Sequence, residues 1–154
     1  MKLRRTLASL VVLAAAGGCS SDSRPGATEH LVAELDFELR YQATLEIDRQ
    51  GTNLEVAFTP RAGFDLLESG QRYDGIGALE DFPEAHATLY TAGFDAAAIP
   101  SGPCGARPIT LALSLSRRGD RPDVSGSLAA YCGAKTYTGT PARIFRLAGK
   151  IRPR

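Results

Sequence analysis

The sequence predicts an all-β domain with one disulfide, built as a small antiparallel barrel or a two-sheet sandwich of about 7–9 strands. Three observations carry this prediction: apolar–polar alternation over 31–48, a second alternating hairpin over 109–130, and a pair of cysteines that flank this hairpin. The chain has 154 residues, of which 44% are hydrophobic and 23% are charged. That balance is typical of one globular domain and excludes a strongly charged disordered chain.

The longest alternating segment, 31–48, predicts strand with one buried face and one exposed face. Its even positions from Glu34 to Asp48 are polar. Because the segment is longer than a usual strand, we expect either one long bent strand or two strands broken near 40–42. Its odd, apolar positions are Leu31, Ala33, Leu35, Phe37, Leu39, Tyr41, Ala43, Leu45 and Ile47.

The middle of the chain is less regular. A turn over 49–53 leads into a strand that holds Leu54, Val56 and Phe58. Residues 59–85 are punctuated by glycines and predict only a short helical turn over 64–68, whereas 86–92 predict another strand.

The hairpin over 109–130 has a polar tip at 117–122, and it predicts the disulfide Cys104–Cys132 at its base. Pairing the two strands about residue 118 would place Ile109 opposite Ser127 and mix the apolar and polar faces. A one-residue shift would keep the faces separate but would displace Cys104 from direct opposition to Cys132. A bulge near Gly105 or Pro108 would reconcile the shifted register with the disulfide. A bridge between these cysteines would stabilise the domain by about 3–4 kcal/mol.

The last predicted strand runs over 142–152 and carries Arg146, Lys150 and Arg152 on its outward face. The first strand carries Glu34 and Asp36 on its outward face. In a closed up-and-down barrel these two strands are neighbours, and opposite charges would then lie side by side.

The N-terminus reads as an export signal, with a short basic head, an apolar run over 7–16 and small residues before Cys19. The segment Ala16-Gly17-Gly18-Cys19 resembles a bacterial lipobox. This resemblance implies cleavage after residue 18, lipidation and palmitate-type acylation of Cys19, and an outer-membrane lipoprotein that faces the periplasm. Ordinary secretion, with cleavage near 14–16, is the alternative.

The boundaries follow from this interpretation: signal peptide 1–18, lipidated N-terminus and flexible tether 19–28, and β domain 29–154. Lipidation of Cys19 would leave Cys104 and Cys132 as a pair in an oxidising compartment. Loss of residues 1–18 would leave 15 basic and 17 acidic side chains, a net charge of −2. That balance excludes the strongly basic surface of a nucleic-acid-binding protein.

The sequence predicts no catalytic, cofactor or metal site. It contains no nucleophile elbow, phosphate-binding loop or zinc-ligand spacing. His86, which follows Glu80, Asp81 and Glu84, is the one histidine that could serve a periplasmic hydrolase, and we expect it to lie in a solvated loop. We therefore expect a non-enzymatic protein.

Binding is the remaining class of function. We favour a protein partner over a small apolar ligand in the barrel interior. The loop Gly133-Ala134-Lys135-Thr136-Tyr137-Thr138-Gly139 resembles a loop of periplasmic C-type lysozyme inhibitors. This resemblance implies that Lys135 and Tyr137 contact the partner. A second candidate contact is the basic hairpin tip, with Arg117, Arg118 and Arg121.

Overall fold

The chain forms a closed barrel of eight antiparallel strands in sequential order. The structure is a computed structural model that describes residues 26–38, 40–62, 66–97, 102–135 and 137–154. The strands are β1 (Glu29–Phe37), β2 (Tyr41–Gln50), β3 (Asn53–Ala62), β4 (Tyr73–Phe82), β5 (Ala87–Ala96), β6 (Ile109–Arg118), β7 (Asp123–Cys132) and β8 (Arg143–Pro153), and a 3-10 turn covers Pro83–Ala85.

The barrel has two distinct ends. The loop end holds the β1–β2 turn and the long β3–β4, β5–β6 and β7–β8 connections. The terminal end holds both strand termini of the barrel, Glu29 and Pro153, and the short turns at 51–52, 83–86 and 119–122. The N-terminal segment therefore enters the barrel at the end opposite to the long connections.

The long alternating segment forms two strands that break at 38–40. Phe37 pairs with Tyr41, so three residues separate the paired positions. An odd number of turn residues keeps odd positions on the inner face of both strands, which is why the alternation continues through the turn. The two-residue turn at 51–52 has the opposite effect, and the inward side chains of β3 are the even ones, such as Leu54 and Phe58.

Strand β4 was not predicted, because its inward face is interrupted by Gly75 and Gly77. A Cβ at Gly75 would come within 2.6 Å of the Phe94 ring, which occupies the space there. A Cβ at Gly77 would collide with the carbonyl oxygen of Thr91 on β5. The inner face of β4 therefore needs glycine where an alternation pattern expects a large side chain.

The β6–β7 hairpin has a different register from pairing about residue 118. Ile109 pairs with Cys132 and Arg117 with Val124, without a bulge, so the turn is 119–122. Cys104 lies in the turn before β6, and it forms the predicted disulfide with Cys132 at a Cα–Cα distance of 5.3 Å. The bridge ties the β5–β6 connection to the end of β7.

Pairing of β1 with β8 closes the barrel and selects it over the two-sheet sandwich. Glu34 lies directly opposite Lys150, as the charge pattern of the two strands predicts. The salt bridge of Glu34 is nonetheless made to Arg61 on β3, at 3.3 Å.

Side chains fill the barrel interior. Phe37 packs edge-on against Phe58 and Phe145, with ring centroids 6.0 Å and 6.4 Å apart. Leu66 and Leu67 from the β3–β4 connection are buried in the same cluster. The interior is a continuous packed core in the part of the barrel that the structure describes.

Candidate functional site

The loop at 133–139, which we call the recognition loop, places Tyr137 on the outside of β5. Gly93 is an outward position of β5, and a Cβ built there would meet the hydroxyl oxygen and ring of Tyr137, with Cζ at 3.1 Å. The side chain of Tyr137 is nevertheless 51% exposed. The absence of a side chain at Gly93 therefore lets the tyrosine rest on the barrel wall and still present its ring to solvent.

Polar contacts fix the start of the recognition loop. The hydroxyl group of Thr110, which is fully buried, donates to the carbonyl oxygen of Gly133 at 2.6 Å and lies 3.3 Å from Asp95 Oδ1. The same carboxylate oxygen accepts a hydrogen bond from the backbone N–H of Lys135 at 3.3 Å. Gly133 also donates its N–H to the carbonyl oxygen of Pro108 at 2.7 Å.

The disulfide reinforces this arrangement, because Cys132 directly precedes Gly133. Lys135 has a left-handed backbone conformation with φ of 51°, and its side chain is exposed. In the described ranges its ammonium group makes no salt bridge. The loop therefore holds one unpaired cation and one half-exposed aromatic ring close together in sequence.

The recognition loop borders a surface that we call the uncharged wall, formed by outward residues of β4 to β8. A transverse row of paired positions crosses it, from Ile76 through Gly93, Ala112 and Ala129 to Ile144. The adjacent row is small and neutral from β4 to β7 and ends at the exposed Arg146 on β8. The wall consists of Ile76, Ala78, Thr91, Gly93, Ala112, Ser114, Ser127, Ala129 and Ile144.

A groove of about 600 Å³ runs over this wall and is bordered by Tyr137. Ile76 is 77% exposed and Ile144 is 57% exposed. Together with Tyr137 they are three of the four large hydrophobic residues that the described part of the chain exposes. Three of the four exposed large hydrophobic residues therefore lie on or beside one transverse row of the barrel.

The surface over β2, β3 and β4 is charged, and it meets the uncharged wall at Ile76. Arg72 donates to Glu46 at 2.7 Å and to Asp74 at 2.9 Å across the outside of β2, β3 and β4. Its hydrogen bonds to Asp74 and Glu46 raise the pKa of the Arg72 guanidinium group. Ion pairs of this kind are exposed to water and contribute little to stability. They form the charged border of the uncharged wall on its β4 side.

The basic hairpin tip lies at the terminal end, away from the recognition loop. The guanidinium group of Arg117 donates to the carbonyl oxygens of Arg121 at 2.7 Å and Asp120 at 3.1 Å. Arg117 thus stabilises its own turn. Arg118 and Arg121 are exposed at the surface. The structure therefore separates the two sets of predicted contact residues.

His86 lies in the β4–β5 turn, with a left-handed φ of 48°. Its side chain is exposed, and its carbonyl oxygen accepts a hydrogen bond from Gly119 at 2.6 Å. Its imidazole makes no hydrogen bond to the other described residues. Asp81, one of the acidic residues before it, accepts instead from Thr88 at 2.8 Å.

The described residues contain no group of three or more His, Cys, Asp or Glu residues that could hold a metal ion. Over the same ranges, no helix has the length and hydropathy needed to cross a bilayer. Cys19 and the signal segment 1–18 lie outside the described residues.

Sequence reasoning selected Lys135 and Tyr137 but missed the residues that support them. Asp95, Thr110 and Gly93 are remote in sequence from the loop, and no local pattern links them to it. The uncharged wall could have been predicted from the sequence, because the outward positions of β5, β6 and β7 that form it carry only small, uncharged residues. No family model, curated protein or solved structure matches the chain.

Proposed function

We propose that this chain is an exported, lipid-anchored cell-envelope protein that binds a protein partner through the recognition loop and the uncharged wall. One observation carries the proposal: Ile76 and Tyr137 expose their apolar side chains along one neutral groove, and the exposed Ile144 ends the same row of paired positions. Contiguous exposed apolar surface with a polar rim is typical of protein–protein sites. Tyrosine is also enriched among residues that dominate binding energy.

The role is non-enzymatic. The groove on the uncharged wall is lined by alanine, glycine, serine and threonine together with Ile76, Leu113 and Tyr137. It brings together no base and nucleophile of the kind that hydrolysis requires. His86, the residue considered for a hydrolase, lies at the terminal end of the barrel.

A lipid on Cys19 would attach the protein to the membrane. The lipobox-like segment and the pairing of the other two cysteines support this assignment. We expect mass spectrometry of the protein from envelope fractions to show an N-terminal, acylated Cys19. The variant Cys19→Ser should lose this modification and leave the membrane fraction. Retention of an unmodified Cys19 within a longer chain would contradict the assignment.

The packed interior favours a protein partner over a small apolar ligand, because the phenylalanine cluster occupies the space that a carrier keeps open. Native mass spectrometry of the processed chain distinguishes the two functions. We expect the bare mass of the disulfide-bonded protein. An apolar adduct that is retained in the gas phase and lost on denaturation would contradict the proposal and favour a carrier.

A C-type lysozyme is the first partner to assay, because the recognition loop resembles a loop of the inhibitors of that enzyme. If it is the partner, Lys135→Ala and Tyr137→Ala should each weaken inhibition by at least about tenfold. Arg118→Ala, at the other end of the barrel, is the matched control and should leave inhibition unchanged. An equal loss in all three variants would contradict this placement of the site.

A further inference from the structure

We propose that the terminal end of the barrel is a second interaction surface, which rests on anionic phospholipid headgroups through Phe82, Arg118, Arg121 and Arg152. This inference goes beyond partner binding and rests on the proposed anchor at Cys19. It assigns a role to the basic hairpin tip, which the recognition loop and the uncharged wall do not use. It also fixes the orientation of the domain, with the partner site facing away from the membrane.

The proposed lipid anchor is attached, through the N-terminal segment, to the terminal end of the barrel. Strand β1 begins at Glu29, at the terminal end of the barrel. About ten residues separate Cys19 from this strand, and they span at most ~35 Å when fully extended. A membrane-embedded lipid on Cys19 therefore holds the terminal end within ~35 Å of the bilayer. We infer that the contacts at this end, and not the tether alone, orient the domain.

The terminal end exposes an aromatic side chain beside an arginine. Phe82 is 41% exposed, and it is the one exposed large hydrophobic of the described residues that lies off the partner site. Phe82 pairs with Ala87, and Ala87 pairs with Arg118, so the aromatic ring and the cation belong to one transverse row. An aromatic ring beside arginine is the combination that enters the headgroup region of a bilayer.

The turns at this end are held together, which keeps the cations on one surface. Gly119 donates its N–H to the carbonyl oxygen of His86 at 2.6 Å. Ile151 donates its N–H to the carbonyl oxygen of Pro122 at 2.7 Å. These bonds connect the β6–β7 turn to the β4–β5 turn and to β8.

Three guanidinium groups remain available for phosphate. The side chains of Arg118, Arg121 and Arg152 are exposed and form no salt bridge within the described ranges. Arg117 is different, because its guanidinium group is used to hold the turn.

Acidic residues limit the strength of this surface. Glu84 and Asp120 are exposed at the same end, as are Glu80 and Asp81 beside Phe82, and Asp123 lies opposite Lys150 on the neighbouring strand. We therefore expect a weak contact that forms because the anchor raises the local concentration of headgroups. Each arginine near an anionic surface should change the contact equilibrium about fivefold, and salt should weaken it.

The sequence contains no tryptophan, so a single tryptophan can report on each surface. We would couple Cys19 of the processed chain to a maleimide phospholipid in vesicles of phosphatidylethanolamine and phosphatidylglycerol that contain brominated lipid. This coupling makes the test independent of natural acylation, whose failure would be detected separately by mass spectrometry. Phe82→Trp probes the proposed membrane surface, and Ile76→Trp is the matched control on the uncharged wall.

We expect brominated lipid to quench the tryptophan at position 82 and to spare the one at position 76. The added pair Arg118→Ser and Arg121→Ser should weaken quenching at position 82, as should vesicles of phosphatidylcholine alone or high salt. The pair Arg146→Ser and Arg143→Ser, at exposed and half-exposed positions of β8, should have no effect. Equal quenching at positions 76 and 82, or no quenching at position 82 in anionic vesicles, would overturn the proposal.

Discussion

Tyr137 rests on Gly93, and this contact couples the recognition loop to the barrel wall. A Cβ on Gly93 would meet the end of the tyrosine side chain, which is mobile enough to move away. Gly93→Ala should therefore cost less than about 1 kcal/mol of folding free energy but displace Tyr137 and weaken partner binding. Urea denaturation and a binding titration measure the two effects separately.

Gly126→Ala is the control for this prediction. A Cβ on Gly126 would collide with the backbone carbonyl oxygen of Ser114, which cannot move without distorting β6. We expect a loss of about 1–3 kcal/mol in stability from overpacking. Equal stability losses at Gly93 and Gly126 would contradict the distinction between a mobile side chain and a fixed strand.

Substitution by valine should have opposite effects on stability at Thr110 and Thr44. Thr110→Val should destabilise the protein by about 1–3 kcal/mol, because the carbonyl oxygen of Gly133 loses its short hydrogen bond from a buried hydroxyl. Thr44→Val should be neutral or stabilising, because the buried Thr44 Oγ1 has no hydrogen-bond partner among the described residues. Thermal unfolding of both variants, compared with the parent chain, checks the sign of each effect.

The disulfide should contribute substantially to stability. Its cysteines are separated by 28 residues, and closing a loop of that length stabilises a domain by about 3–4 kcal/mol in the chain-entropy model. Cys104→Ser together with Cys132→Ser should lower the urea midpoint accordingly. A midpoint unchanged by the double substitution would show that the bridge does not constrain the unfolded chain as the model assumes.

Loss of the bridge should also affect the recognition loop, because Cys132 adjoins Gly133. We expect faster amide exchange at Gly133 and Lys135 in the double variant than in the parent chain, measured under conditions where both are folded. Amides in the middle of β2, which is remote from the bridge, serve as the internal reference. Uniform acceleration in both regions would indicate global rather than local loosening.

The sequence pattern predicted those elements in which each strand alternates without interruption. β1, β2 and β6 were recognised because their inward positions are apolar without interruption. β3, β5, β7 and β8 were also predicted, although the last two contain an inward glycine, Gly126 and Gly149. β4 was missed because Gly75 and Gly77 make room for neighbours from β5, and that requirement is visible only after the strands are paired. The β6–β7 register was wrong because Cys104 precedes its strand and is not part of it.

The candidate site shows the same division between local and distant information. Lys135 and Tyr137 lie in one short segment, so they could be predicted as contact residues from the local sequence alone. The groups that hold them, Asp95 and Thr110, lie on β5 and β6, and their relation to the loop depends on the pairing of β5, β6 and β7. The uncharged wall likewise depends on the registers of the consecutive pairs from β4 to β8.

Photo-cross-linking on the two walls of the barrel tests the partner site most directly. A photoreactive amino acid at position 76 reports on the uncharged wall, and one at the exposed position Asp36 reports on the outside of β1, which is remote from Ile76. In cells that export the protein, we expect a discrete protein adduct from position 76, greatly reduced by Tyr137→Ala, and none from position 36. Adducts of equal yield from both positions, or an adduct at position 76 that is insensitive to Tyr137→Ala, would contradict the account.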